Sequence, residues 1–156
     1  MKSLTTIIQI LSIIVTGMFS GAMIMLYTAV LSFWKQTKPS GFLIWYSNYS
    51  SGIIDSTGPL LMLSICLPLL SFVLVRKFSR INIYWLLSFL LCVLIMIITL
   101  IYFVDVNTSF GEKSIEIGNI KSTLNTWGNL HLIRILLALF SSFLGGIGLV
   151  KYLSYN

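Results

Sequence analysis

The sequence predicts an all-α integral membrane protein, a four-helix bundle formed by a single domain over residues 1–156. Three observations carry this. Hydrophobic residues make up 57% of the chain and charged residues 9%, against about 25% charged in soluble domains. Four apolar runs, approximately 4–34, 58–75, 83–104 and 130–153, reach or approach the roughly 20 residues that a bilayer core requires of a helix. The runs are continuous, with none of the in–out alternation of a membrane barrel.

The first run, opening "MKSLTTIIQILSIIV", has the charge and apolar core of a signal peptide but continues well past signal length, so it reads as a retained span. At about 1.5 Å per residue it exceeds the bilayer core and must tilt or project. Gly17 and Gly21 give a GxxxG spacing, and Ala138, Ser142 and Gly146 repeat small residues in the last span. Such faces let helices approach closely in lipid. Packing within the bundle is the preferred reading, with a homo-oligomer or a partner membrane protein as the alternative.

Between the first two spans, "SGFLIWYSNYSSGIIDSTGP" places Phe42, Trp45, Tyr46 and Tyr49 at i, i+3, i+4 and i+7, behind a helix start at Pro39 and Ser40. This predicts a short interfacial helix in the first outer loop. It would serve as an aromatic anchor or as a lid that stacks on a flat apolar substrate. Asp55, Ser56 or Thr57 would cap the second span, with Pro59 in its first turn.

The connector "RKFSRIN" is short and basic. Lys2, Arg76, Lys77, Arg80 and Lys151 fall on one side, and Lys35, Lys38, Lys113 and Lys121 on the other. The positive-inside rule therefore places both termini in the cytoplasm, in a plasma or inner membrane. The net charge of +6 is spread over span ends, which argues against a nucleic-acid partner. Cys66 and Cys92 lie inside spans, so neither a disulfide framework nor a CxxC redox centre is available. They would share a depth near mid-membrane, where two small buried apolar residues are the simpler reading. The polar stretch 105–126 reads as a long loop.

The last span opens with "TWGNLHLIRILLALF", which puts Trp127, His131 and Arg134 on one helix face at i, i+4 and i+7. Taken singly they are an interfacial tryptophan, a wet helix-end histidine and a snorkelling arginine. Taken together they form a polar column. Arg134, one turn inside the membrane, needs an anionic partner; Asp105, at the end of the antiparallel third span, supplies one, with Asp55 second. An Arg134–Asp105 ion pair is therefore expected, pinning the bundle or poising a site. His131 would face an outer pocket as a general base. No cofactor is predicted, and a metal would require Glu112, Glu116 or Asp55 to join the only histidine.

The segment from Asn107 to Phe143 resembles the signature of the anthrone oxygenase-like family of small four-span membrane proteins. That signature is an asparagine after the third span, then W-x-x-x-H-x-x-R opening the fourth. Asn107, Trp127, His131 and Arg134 match it. The glycine-containing "TGMFSGA" and the aromatic "FLIWYSNY" are similar too, so the resemblance covers nearly the whole chain. Where members commonly carry P-x-N, this chain has "DVN", with Asp105 in place of the proline.

The resemblance implies oxidation of a lipophilic aromatic substrate, anthrone- or quinol-like, by molecular oxygen. His131 would be the base, Arg134 the oxyanion stabiliser and Asn107 the orienting amide. Trp127, Trp45, Tyr46, Tyr49 and Phe42 would bind the ring. The alternative is a non-catalytic small membrane subunit or binding module.

Overall fold

A computed structural model describes residues 2–77 and 79–155, without the side chains of Lys2, Ser79 and Arg80. The charges of Lys2 and Arg80 used for topology therefore lie outside the described side chains. The elements are α1 (Lys2–Met25), a π-helical turn (Leu26–Val30), α2 (Leu31–Gln36), α3 (Pro39–Leu74), α4 (Ser79–Ile98), a second π turn (Thr99–Phe103), α5 (Val104–Gly111), a 3-10 turn (Ile117–Asn119) and α6 (Ile120–Tyr155).

Among the described residues four continuous helical rods are long and apolar enough to cross a membrane: Ser3–Gln36, Pro39–Leu74, Ile81–Gly111 and Ile117–Tyr155. The chain is an all-helical membrane bundle. The rods pack as a square, α1 against α3, α3 against α4, α4 against α6 and α6 back against α1. The connectors 37–38 and 112–116 lie at one end, and the described ends of α1 and α6, Lys2 and Tyr155, lie at the other with residues 75–77.

The helices extend further than the apolar runs suggest. Rods of 31 to 39 residues are roughly 46–58 Å long, against about 30 Å of hydrocarbon. The surplus belongs to the connector end, where Asn48, Ser51, Asp55 and Ser56 on α3 and Asp105 and Thr108 on α5 are exposed. The connector end is thus a helical headpiece with polar residues on its surface, and much of the sequence read as loop is built into it.

Three expectations change accordingly. The 39–57 segment is helical but is not a separate interfacial helix, because it runs straight into the second span as one 36-residue helix. Pro39 stands at its start, while Asp55 and Pro59 lie in its interior, so the cap expected at Asp55, Ser56 or Thr57 does not exist. The expected long loop shrinks to 112–116. α5 ends there in a Schellman turn: Ser114 N–H donates to Ser109 O and Lys113 N–H to Phe110 O, with Lys113 at φ 57.

In lipid, apolar side chains gain little by leaving their solvent, so close packing and polar contacts hold such a bundle together. Ser88 and Ser141 hydroxyls meet at 2.8 Å, and Ser141 also lies 3.1 Å from the Cys92 sulfur. Cys92 is thus buried against α6 while Cys66 is exposed, so the two do not pair. Besides Gly128 near its start, the small residues that α6 buries are Ala138, Ser141, Gly145 and Gly148, one register away from the Ala138, Ser142, Gly146 pattern. Gly145 and Gly148 receive the indole of the fully buried Trp85. Gly17 and Gly21 lie on the exposed face of α1.

Above this tightly packed half sits an apolar layer that includes Phe19, Leu61, Ile95 and Ala138. Above that layer, inside the headpiece, an aromatic cluster forms around Trp34, which makes edge contacts with Phe42, Trp45, Tyr46 and Trp127. The polar column of α6 lies between the layer and the cluster.

Candidate functional site

The spacing of Trp127, His131 and Arg134 does place all three on the inner face of α6, and each is buried. His131 is 1% exposed. Its ring lies parallel to the Trp127 indole, with centroids 4.5 Å apart and 13° between planes, and parallel to the more distant Tyr27 ring at 6.4 Å. The histidine thus lies flat against the indole.

Its edge is fixed as well. His131 Nε2 lies 2.9 Å from the carbonyl oxygen of Met23. A carbonyl only accepts, so Nε2 carries a proton, and in the neutral ring Nδ1 is the unprotonated nitrogen. Nδ1 is buried with no hydrogen-bond partner.

Arg134 lies one turn deeper. Its guanidinium carbon stands 4.2 Å from the centroid of the Phe103 ring, and Nη2 is 3.9 Å from the Met23 sulfur. Nε is buried and unpartnered. Phe103 also makes an edge contact with Trp127, so one phenyl ring seats both the cation and the indole.

The expected Arg134–Asp105 ion pair is absent. Asp105 follows Phe103 by two residues, about 200° around a helix that turns Phe103 inward, and its side chain is exposed; Asp55 is exposed too. No carboxylate among the described residues meets Arg134, so a buried cation is left with only a π face and a thioether.

Asn107, one turn beyond Phe103 on the same face, accepts the Trp127 indole N–H on Oδ1 at 3.1 Å. That bond commits the amide oxygen and leaves the NH₂ facing the neighbouring space. The polar column of α6 is thereby tied to α5.

Two connected spaces open onto these groups. A narrow cavity of about 60 Å³ touches His131, Arg134, Trp127, Asn107, Trp34 and Met23. Beside it a cleft of about 320 Å³ runs between α3 and α5, bordered by Tyr46, Ser50, Thr57, Phe103, Asn107 and Arg134. Tyr46, Ser50, Thr57, Phe103, Asn107 and Arg134 line both, so the cleft leads to the histidine. His131 consequently faces an interior cavity and not an outer pocket between loops.

The aromatic residues of α3 divide. Tyr46 borders the cleft. Phe42 is buried in the cluster beneath Trp34, at 1% exposure, and borders no described cavity. Trp45 and Tyr49 border a separate groove of about 290 Å³ on the other side of α3, against α1. The helix turns them away from His131. Trp127 reaches the cavity chiefly as the plate on which His131 stacks.

Met23, Tyr27, Phe103 and Ser50 belong to this site without having been singled out in the sequence, and Thr57 was expected only as a helix cap. Met23 and Phe103 look like ordinary span residues. The two π turns, Leu26–Val30 and Thr99–Phe103, flank the site on opposite sides. Such turns frequently accompany functional sites but have no clear sequence signature. No group of three or more potential metal ligands occurs among the described residues.

Residues 45–144, which include Tyr46, Asn107, Trp127, His131 and Arg134, match a family model described as anthrone oxygenase. No curated protein and no solved structure matches the chain.

Proposed function

Because this chain belongs to the anthrone oxygenase family, whose model its residues 45–144 match, we propose that it oxidises a lipophilic aromatic substrate of anthrone or quinol type with molecular oxygen. The observation that carries this reading is the pairing of a buried, unpartnered His131 Nδ1 with a buried Arg134 that has no carboxylate. A base and an uncompensated cation share one cavity, the arrangement that favours forming an anion from a weakly acidic substrate.

The substrate enters the α3–α5 cleft, whose volume of about 320 Å³ falls at the lower end of the range of about 300–1,000 Å³ for small-molecule pockets. The cleft lies where the hydrocarbon gives way to the headpiece, within reach of a molecule dissolved in the bilayer. Phe103 and Tyr46 offer ring faces. The Asn107 NH₂ and Thr57 hydroxyl border the cleft beside Arg134 and orient oxygen substituents.

His131 Nδ1 takes a proton from the activated ring CH₂, and the electron pair delocalises onto the ring oxygen beside Arg134. The carbanion carbon reacts with dioxygen, gaining a C–O bond, and the peroxide takes up a proton. Loss of the second C–H proton with cleavage of the O–O bond releases water and leaves the quinone carbonyl. One anthrone and one dioxygen give one anthraquinone and one water; a quinol, which has no ring CH₂, would pass two protons and two electrons to dioxygen and give one quinone and one hydrogen peroxide.

The experiment is oxygen consumption with quinone formation by the purified protein and a synthetic anthrone. One dioxygen per quinone with the native chain, abolished in His131→Gln at unchanged thermal stability, is the expected result. Turnover that survives this substitution would overturn the role of the histidine.

A further inference from the structure

Three of the four tryptophans of the chain lie in one unbroken series of ring contacts. The series starts at the reaction cavity, where Trp127 stacks on His131 with centroids 4.5 Å apart. Trp127 meets Trp34 at 5.4 Å, Trp34 meets Trp45 at 5.7 Å, and Trp45 meets Tyr49 at 5.6 Å. At such separations the rings touch. Tyr49 is 61% exposed, with Asn48 and Ser51 exposed beside it. The series thus leads from the buried histidine to the polar surface of the headpiece.

Packing alone does not ask for this choice of rings. Phe42, Phe103 and Phe110 fill space in the same cluster, but phenylalanine gives up an electron far less readily than tryptophan or tyrosine. The line from cavity to surface uses only the oxidisable rings. Trp34 is its junction and also touches Tyr46. Tyr46 is 4% exposed and borders the reaction cleft, so an oxidised Tyr46 stays beside the substrate. Among the described ring contacts, the oxidisable branch that reaches the surface from Trp34 runs through Trp45 to Tyr49. The fourth tryptophan, Trp85, packs against glycines in the other half of the bundle.

We propose that this series is an electron relay that carries oxidising equivalents out of the cavity to Tyr49. Its role rests on the oxygen chemistry proposed above, which supplies the oxidant. Ground-state dioxygen is a triplet, so it accepts electrons from a carbanion singly. A carbon radical that escapes its superoxide partner adds a further dioxygen and becomes a peroxyl radical. Trp127, which borders the cavity, gives that radical an electron, and protonated His131 gives it a proton. The product is the hydroperoxide of the main path. The electron vacancy passes through Trp34 and Trp45 to Tyr49, which releases its phenolic proton to solvent and becomes a neutral tyrosyl radical. A water-soluble thiol restores it by giving up a hydrogen atom. The relay spares Met23, which borders the same cavity and whose sulfur is open to oxidation to the sulfoxide.

The test is laser-flash photoionisation of tryptophan in the full chain in detergent, with a nitroso spin trap and peptide mass mapping to locate the radical. It needs no turnover. Tyr49 should be the most heavily trapped tyrosine. Trp34→Phe cuts the tryptophans that feed Tyr49 from three to one and should lower its adduct about threefold. Trp45→Phe, at a half-buried position, should abolish it. Trapping at Tyr49 no greater than at Tyr155, which is 71% exposed, or unchanged in Trp45→Phe, overturns the relay. The expected trapping in a chain that forms no quinone upholds the relay and overturns the reaction, which separates the two. With an anthrone and dioxygen, Trp45→Phe should accumulate oxidised Trp127 faster per turnover than the native chain; equal accumulation overturns the protective role.

Discussion

His131 donates through Nε2 to the carbonyl oxygen of Met23 at 2.9 Å, while the Met23 sulfur lies 3.9 Å from Arg134 Nη2. One residue of the first span thus touches both polar groups of the fourth. The backbone contact sets the imidazole tautomer, and the side-chain contact gives the guanidinium a soft, uncharged neighbour. This divides the functions of the histidine into an anchoring edge and a free edge.

His131→Gln separates them. A glutamine amide can still donate toward Met23 but provides no nitrogen base at the cavity. Turnover should fall by about 100- to 10,000-fold, the usual contribution of a positioned base, with the melting temperature close to native. His131→Ala should lose both the activity and some stability. Quinone formation alongside a detergent melt for the two variants checks this; equal stability with full activity in His131→Gln would refute the assignment of Nδ1.

Arg134 tests the oxyanion role. Arg134→Lys keeps the charge but loses the planar stack on Phe103 and the Nε donor. Arg134→Met removes the charge and retains much of the packing volume. Loss of an oxyanion donor costs roughly 100- to 1,000-fold in turnover, so Arg134→Met should fall that far, mostly in kcat. Removing an unpaired buried cation should also raise stability, because nothing anionic is left without its partner. A melting temperature that drops sharply in Arg134→Met would mean that the cation serves structure.

Access through the α3–α5 cleft is tested at Gly58. It borders the cleft, and a Cβ built there meets nothing within 4 Å. Gly58→Leu should therefore fold normally while filling the passage. KM should rise about tenfold, equivalent to about 1.4 kcal/mol, with little change in kcat. Steady-state kinetics resolves the two parameters, and an unchanged KM would place access elsewhere.

The column of Trp127, His131 and Arg134 was legible because helical spacing alone puts those residues on one face. The number of rods was legible because a bilayer demands long apolar runs. The limits of the rods were not. Residues 39–57 and 105–111 are rich in Ser, Asn, Asp and Gly, which read locally as turns, yet they pack an aromatic cluster as continuous helix. The ion pair failed for a related reason: antiparallel ends brought Asp105 near the correct height, but two residues from Phe103 is the wrong side of a helix. Similarly, Trp45 and Tyr49 share a period with Tyr46 and still face a different groove. Only the packing partners of α3 decide which part of its broad aromatic arc meets the site.

Packing in the lower half of the bundle gives the last prediction, on the pair Gly148 and Gly146. A Cβ at Gly148 would lie 2.8 Å from Trp85 Nε1 and 3.1 Å from Cε2, whereas one at Gly146 meets nothing within 4 Å. The Trp85 ring is fully buried and also abuts Gly145, at 3.2 Å from a Cβ built there, so it has no room to retreat. Gly148→Ala should therefore destabilise by about 1–3 kcal/mol through overpacking, despite the intrinsic helix gain of about 1 kcal/mol from replacing glycine by alanine. Gly146→Ala receives that gain without the clash and should be neutral or more stable. Parallel melts in one detergent decide it. Equal effects at the two sites would mean that α4 and α6 do not meet through the Trp85 indole.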